Sequence, residues 1–455
     1  MECFDQHIKM TTSSRSAENL PLLVHHTNSK DPKFTIQNFY LMAIFFSANH
    51  GCMVSCLSIA TSRLGSLGSI QSGVLSLSYV ASSIFGATYV VKRLGGRNAM
   101  IIGMLLYCLY AAGFFVATVL PGFATLAALS GAMIGGVGAG ISSIAQGTYL
   151  ARAASQHAKE LSLDINHCTT KLAGGFAFLY LSIEVALRLT PTILAKFISW
   201  RSVFAVNTGI AVLSTFGMLL VLDYGPDEYE NLSLTSTCYK MTSAFQLLFQ
   251  DPKMRYMIWI NVAFGLTASF QNSYVNGEVE KIVNHDPDSI FVGLFSSWIA
   301  LSAATMSLVL PKVASNEFAL IFGITCYFFT VFPFIIQPDT SKWTPASLLL
   351  LYSLHGIGRA TFESTLKAIF IKFFPTEPAG AFSNIILQFG LSSSFGYFLT
   401  FRFNCKSASK YCIEYSDQTL HNLLGFEVSI CIVILVAIWG FRRATVIHHQ
   451  YEEIN

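Results

Sequence analysis

Apolar runs alternate with short polar intervals along most of the chain, at about 36–60, 69–91, 98–119, 122–150, 169–189, 202–222, 255–277, 290–310, 317–337, 345–373, 379–401 and 421–440. A helix crosses the hydrocarbon layer of a bilayer in roughly 20 residues, and each run reaches or approaches that length. The pattern therefore predicts an all-α polytopic membrane protein with about twelve transmembrane helices. The longest polar interval, Asp223 to Arg255, follows the sixth run and divides the chain six plus six. The expected units are an N-terminal tail (1–35), a six-helix half (36–222), a central loop (223–254), a second six-helix half (255–440) and a C-terminal tail (441–455).

Composition agrees with burial in lipid. Of 455 residues, 53% are hydrophobic and only 12% charged, with a mean hydropathy of +0.53; a soluble chain carries about 25% charged residues. The 32 glycines suit close helix packing where lipid removes the hydrophobic driving force between helices. Most of the 28 Lys and Arg fall in intervals on the side of the N-terminus, which predicts that both tails and the central loop are cytoplasmic. No apolar run precedes residue 35, so no cleavable signal peptide is expected and the first helix is read as the targeting signal. A net charge of +3 provides no nucleic-acid surface. The ten cysteines form no CxxC pair, so neither a metal nor a cofactor is expected. HExxH, GKS/T and GxSxG motifs are absent, and the chain is read as no enzyme.

The tenth run carries the least ordinary pattern. His355, Arg359, Glu363 and Lys367 recur every fourth residue and share one helical face, with Arg359 and Lys367 expected to reach toward Glu363. Ionisable groups at membrane depth normally face a bundle interior or a water-filled cavity. The stripe is read as cavity lining for gating, binding or coupling, as an ion-pair ladder that locks helices, or as one whose Lys367 snorkels to the inner interface. Glu184, four residues before Arg188, is a carboxylate for proton coupling or one half of a salt bridge. Asn49 and His50 in the first run, with Asn261, Gln271, Asn272 and Asn276 in the seventh, are candidates for contact with a small solute or ion, protons included, or for hydrogen bonds between helices. In the fourth run Gly131, Gly135, Gly136 and Gly140 form a strip of small residues, followed by Gln146 and Tyr149 as cavity candidates. Lys92, Arg93 and Arg97, in VVKRLGGRNAM, are gating-loop candidates.

Two stretches resemble a known family. The six-plus-six layout and the KRLGGR turn resemble the major facilitator superfamily, and GGVGAGISSIAQGTYLARAA resembles its uncoordinated-93-like branch, in which a Gly-rich fourth helix leads into a Gln and a Tyr or Asn followed by Leu, here Gln146, Tyr149 and Leu150. The resemblance implies an acidic residue where Lys92 stands, and this departure weakens the expected charge relay. It implies a transporter fold, whereas members of that branch are known as accessory subunits of potassium channels or escorts of innate-immune receptors. Two readings follow: alternating-access transport of a small solute or ion, or a regulatory or trafficking subunit bound to an integral-membrane partner. Membrane lipids are partners in either case. In the tails, Glu18 with Leu22 and Leu23 has the form of an acidic dileucine signal, and Tyr451 to Ile454 that of a tyrosine-based one. They point to an endosomal, lysosomal or vacuolar membrane, with the plasma membrane as the competitor. Cys405 and Cys412 share an outer loop where they would either pair or remain free thiols.

Overall fold

A computed structural model describes residues 32–224, 245–375, 377–400 and 417–454, and among them the regular structure is entirely helical. The N-terminal helices are α1 (Pro32–Ser58), α2 (Ala60–Leu64), α3 (Ser66–Phe85), α4 (Ala87–Val119), α5 (Ala124–Leu161), α6 (Ile165–Leu194) and α7 (Trp200–Met218). Beyond residues 225–244 follow α8 (Pro252–Phe270), α9 (Glu280–Val283), α10 (Val292–Val313), α11 (Asn316–Ile336), α12 (Pro345–Ala360), α13 (Lys367–Phe373), α14 (Pro378–Thr400) and α15 (Asp417–Ile454). Each apolar run of the sequence falls on helix. Among the described residues, seven helical stretches are long and apolar enough to cross a membrane: Lys33–Ser58, Ala87–Val119, Pro121–Leu161, Lys171–Leu194, Val292–Leu310, Asn316–Ile336 and His421–Tyr451.

Local chemistry sets the helix ends. Ser199 opens α7 by accepting from the backbone N–H of Ser202, and Asp251 with Pro252 opens α8. Thr344 and Ser347 form a reciprocal capping box ahead of α12. Gly95 interrupts α4 at φ 81° and ψ 165°, a backbone shape open to glycine alone, and this makes the KRLGGR turn a sharp break inside the helix.

Two predicted spans are not continuous α-helix. The seventh runs from α8 into a π-helical stretch, Gln271–Val279, and the tenth joins α12 to α13 through another, Thr361–Leu366. These wide turns bond i to i+5 and occur mostly at functional positions. The glycine strip of α5 divides between two neighbours: Gly131 and Gly135 lie on Gly113 and Tyr110 of α4, while Gly136 and Gly140 lie on Leu75, Ser82 and Ser83 of α3. A side chain on either face would meet backbone or packed side-chain atoms, so α5 is wedged tightly between two helices.

Buried apolar side chains gather separately on the two sides of residues 225–244. One cluster extends from Met254 to Ala444, and the others draw on Phe39 to Val221, joined only by Val292. Between the two sets, polar bonds gather where α1 ends. Asn276 Nδ2 donates to the Ser58 carbonyl (2.9 Å), Arg63 Nη1 to the Asp288 carbonyl (2.8 Å) and Thr192 Oγ1 to the Ile290 carbonyl (2.7 Å). Nearer the middle, Ser394 Oγ donates to the Gly73 carbonyl (2.9 Å).

Candidate functional site

The site is a row of four ionised side chains drawn from α6 and the α12 segment. Arg359, at the end of α12, turns its fork onto Glu184 of α6, with Nη1 to Oε1 at 2.7 Å and Nη2 to Oε2 at 2.9 Å. Its Nε donates to Oε1 of Glu363 at 2.7 Å. Arg188, one turn beyond Glu184, brings Nε to 2.8 Å from Glu184 Oε1, close enough for an ion pair but without an aligned N–H. The order is therefore Arg188, Glu184, Arg359, Glu363, two cations and two anions.

Burial differs along the row. The Glu184 side chain is 1% exposed and Arg359 12%, whereas Glu363 is 35% exposed. A fully paired Glu184 thus sits at the dry end, and the carboxylate of Glu363, bonded through one oxygen, meets open space. Bidentate Arg–carboxylate pairs are among the strongest directional contacts a protein makes. In a low-dielectric interior they hold only because each charge is answered at short range.

Aromatic rings flank the row on both sides. His50 lies against Tyr180 (centroids 5.1 Å apart), Tyr107 (5.8 Å) and Phe46 (6.1 Å). Phe176 stacks on Tyr180 at 5.6 Å. Across from them, Phe264 stacks on Phe362 at 3.6 Å and meets Phe389 at 4.8 Å, while His355 abuts Tyr327 at 5.4 Å.

The expected stripe is thus realised in part. Arg359 and Glu363 pair as the spacing suggested, and His355 is buried beside them with Nδ1 unbonded. Lys367 does not join: it is exposed at the start of α13 and makes no ion pair among the described residues. Its predicted place at Glu363 is corrected, since Arg359 already occupies that carboxylate's inner oxygen and spends its remaining donors on Glu184. The expectation that Glu184 pairs with Arg188 omitted the stronger partner, Arg359, which lies 175 positions away.

Several polar candidates are spent on holding helices. Asn49 is wholly buried and donates to the Ala211 carbonyl (2.9 Å) and Thr215 Oγ1 (3.0 Å) of α7. Tyr149 accepts from Asn38 (2.7 Å) and donates to the Leu222 carbonyl (2.9 Å). Asn261 donates to Gln388 of α14 at 2.7 Å, and Asn272 to the Tyr397 hydroxyl at 3.1 Å. Gln271 is buried and leaves Oε1 without a partner, and Gln146 is half-buried on α5. Asn276 is completely buried and also accepts from Tyr352 at 2.6 Å.

At the KRLGGR turn, Arg93 donates to the Tyr89 hydroxyl (3.2 Å), Arg97 to the Leu219 carbonyl (2.7 Å), and Asn98 to Asp223 (3.2 Å). Lys92 is half-buried beside them. A carboxylate thus meets this turn from the end of α7's following segment. Tyr451 is exposed near the end of α15, its ring 5.5 Å from Lys253 Nζ. Glu18, Leu22, Leu23, Cys405 and Cys412 lie outside the described residues, as does the side chain of Ile454. Among the described residues no group of three or more His, Cys, Asp and Glu could hold a metal ion.

The family model described as Major Facilitator Superfamily matches residues 39–398. No curated protein matches the chain in sequence. Among solved structures the chain is similar to the nucleoside transporter NupG at 12% identity and a TM-score of 0.65, covering 90% of this chain and 99% of that one. A D-xylose–proton symporter aligns at 14% identity and a TM-score of 0.65, over 90% and 97% of the two chains. A structure of a proton-dependent oligopeptide transporter aligns at 13% identity and 0.66, over 92% and 100%. At these identities the likeness is one of fold.

Proposed function

Because the chain belongs to the major facilitator superfamily, we propose that it is a secondary transporter of a small solute, working by alternating access between two six-helix halves, 36–222 and 255–440. In this reading about twelve spans cross the membrane. Both tails and the central loop are cytoplasmic, following the excess of Lys and Arg on that side. The end closed by Ser58, Arg63, Asn276 and Ile290 then faces outward, and the chain is closed to the outside.

The observation that carries the reading is the fork of Arg359 on Glu184. It joins α6 of one half to the α12 segment of the other, buried at mid-depth, where superfamily substrates and coupling ions sit. A bond of this strength across the moving interface must be exchanged when the halves rock. Glu363 supplies the exchange: a proton or cation arriving on its open oxygen weakens its hold on Arg359 Nε and changes the balance on Glu184. Proton coupling through Glu363 is therefore part of the proposal. The acidic partner that the uncoordinated-93-like resemblance misses at Lys92 is supplied at the same turn by Asp223, which supports a working gate rather than an inert scaffold. The branch itself, and an endosomal or lysosomal address read from the tails, rest on Gln146, Tyr149, Leu150 and the motifs at Glu18–Leu23 and Tyr451–Ile454.

The reading is tested by distance measurements between spin labels carried as unnatural amino acids. One pair, at Phe123 and Lys342, reports the closed end; another, at Leu161 and Val313, reports the opposite end. Two populations at each end are expected, with Glu184→Gln shifting the two ends in opposite directions. A single distance at both ends, unmoved by Glu184→Gln and by pH, overturns alternating access and leaves the scaffold reading.

A further inference from the structure

Within the charged row, two groups keep unspent hydrogen-bonding capacity. Arg188 is buried, its side chain 9% exposed, yet its only contact with an acceptor is Nε beside Glu184. Nη1 and Nη2 make no bond among the described residues. A guanidinium carries five N–H donors in a planar fork suited to a carboxylate; Nε is fully buried without a bond, whereas Nη1 and Nη2 are not among the fully buried unpartnered atoms, so the fork opens onto accessible space. Arg188 thus ends the row with donors that have no acceptor among the described residues.

The opposite holds at the other end. Glu363 uses Oε1 for Arg359, and Oε2 has no partner among the described residues on a side chain 35% exposed. Here an acceptor waits for a donor. Between the two ends stand Glu184 and Arg359, each already satisfied by the other.

Charge arithmetic narrows what fits. Arg188 and Arg359 balance Glu184 and Glu363, so the row is neutral as it stands. A ligand with a net charge would leave one charge unanswered in a site of low dielectric, which is penalised heavily. A ligand with one anion and one cation answers both open groups and keeps the sum at zero. Rings on both flanks, Phe46, Phe176 and Tyr180 on one side and Phe264, Phe362 and Tyr327 on the other, add apolar and π surface for the body of such a molecule.

We propose that the site binds a small organic zwitterion, its carboxylate held by the Arg188 fork and its ammonium by Glu363 Oε2, with a planar or apolar body between the aromatic walls. This rests on the transport reading for its purpose but not for its measurement. Loading would also place the ligand's ammonium in competition with Arg359 for Glu363, which links occupancy to the bond between the halves.

The test uses the purified full chain in detergent and three probes that share one ring: phenylalanine, phenylethylamine and 3-phenylpropionate. A ligand that binds only the folded state raises the unfolding midpoint. At millimolar concentration, phenylalanine is expected to raise it, and each singly charged analogue to act roughly tenfold more weakly or worse, the loss expected for one charge-assisted contact. Arg188→Gln should abolish the phenylalanine shift relative to its own unliganded midpoint. Glu363→Gln should abolish it too, while leaving 3-phenylpropionate no weaker than in the parent. The assignment is overturned if none of the three probes shifts the midpoint, if a singly charged analogue matches phenylalanine, or if Arg188→Gln binds it unchanged. Should the spin-label distances alternate while this series fails, only the zwitterion assignment is lost; should they stay fixed while the series succeeds, transport is lost and the binding site stands.

Discussion

Glu184 and Asn49 are both buried polar residues on helices, and they differ in what their removal leaves behind. Asn49 donates to a carbonyl and a hydroxyl of α7 that have other partners within their own helix. Asn49→Ala should therefore cost about 1–3 kcal/mol, the loss of a few buried bonds, and leave ligand-induced shifts intact. Removing the Glu184 charge takes away the anion beside Arg188 and leaves Arg359 with Glu363 alone. Glu184→Gln should cost roughly 3–5 kcal/mol in an unfolding measurement, and adding Arg359→Gln should recover part of it, since a missing pair is cheaper than an unpaired buried cation. A double variant that melts at the sum of the two single losses would show that the fork contributes no coupling. The sequence made half of this legible. Spacing of four placed Arg359 and Glu363 on one face, because helical neighbours are a local property. It could not place Glu184 under the same guanidinium, since a partner on another helix leaves no trace in periodicity. Arg188 appeared only as a neighbour of Glu184, and its empty fork is visible only once every nearby acceptor is accounted for.

The helices themselves were read well where apolar length alone decides, as at α4, α11 and α15. The interruptions were not. Gln271–Val279 and Thr361–Leu366 look like ordinary continuations of amphipathic helix, because a π turn arises from how polar side chains and neighbouring backbones fit together rather than from residue type. Gly95 is different, since its conformation demands glycine and the KRLGGR turn advertised it. Gly95→Ala should cost about 1–3 kcal/mol and displace Arg97 from the Leu219 carbonyl that it caps. Gly96→Ala offers the contrast: its added methyl meets Ala145 and Tyr149 at 3.3 Å, tighter than ordinary contact, so α5 must give slightly, but there is no unusual backbone to strain. Unfolding midpoints that fall equally in the two variants would mean that packing against α5, and not the break in α4, sets the demand for glycine here.

At the scale of the whole molecule, rocking requires the closed end to open, and one contact there can be converted into a removable lock. A Cβ built on Gly277 would lie 3.3 Å from the Cβ of Thr61, near the separation of about 3.5–4.5 Å that a disulfide spans. Thr61→Cys also removes the methyl that would otherwise meet the new side chain at 2.7 Å. The pair Thr61→Cys and Gly277→Cys should cross-link on mild oxidation. The label pair at Phe123 and Lys342 should then collapse to its short distance, and the pair at Leu161 and Val313 should stop responding to Glu184→Gln until a reductant is added. The logic depends on rigid halves: a lock on one end silences the other only if the two ends belong to the same bodies. Continued movement at Leu161 and Val313 in the oxidised chain would mean that each end bends on its own, through the π-helical stretches rather than about the Glu184–Arg359 pivot. In that case the wide turns next to Glu363 and Asn276, and not the interface between halves, would be where the chain changes shape.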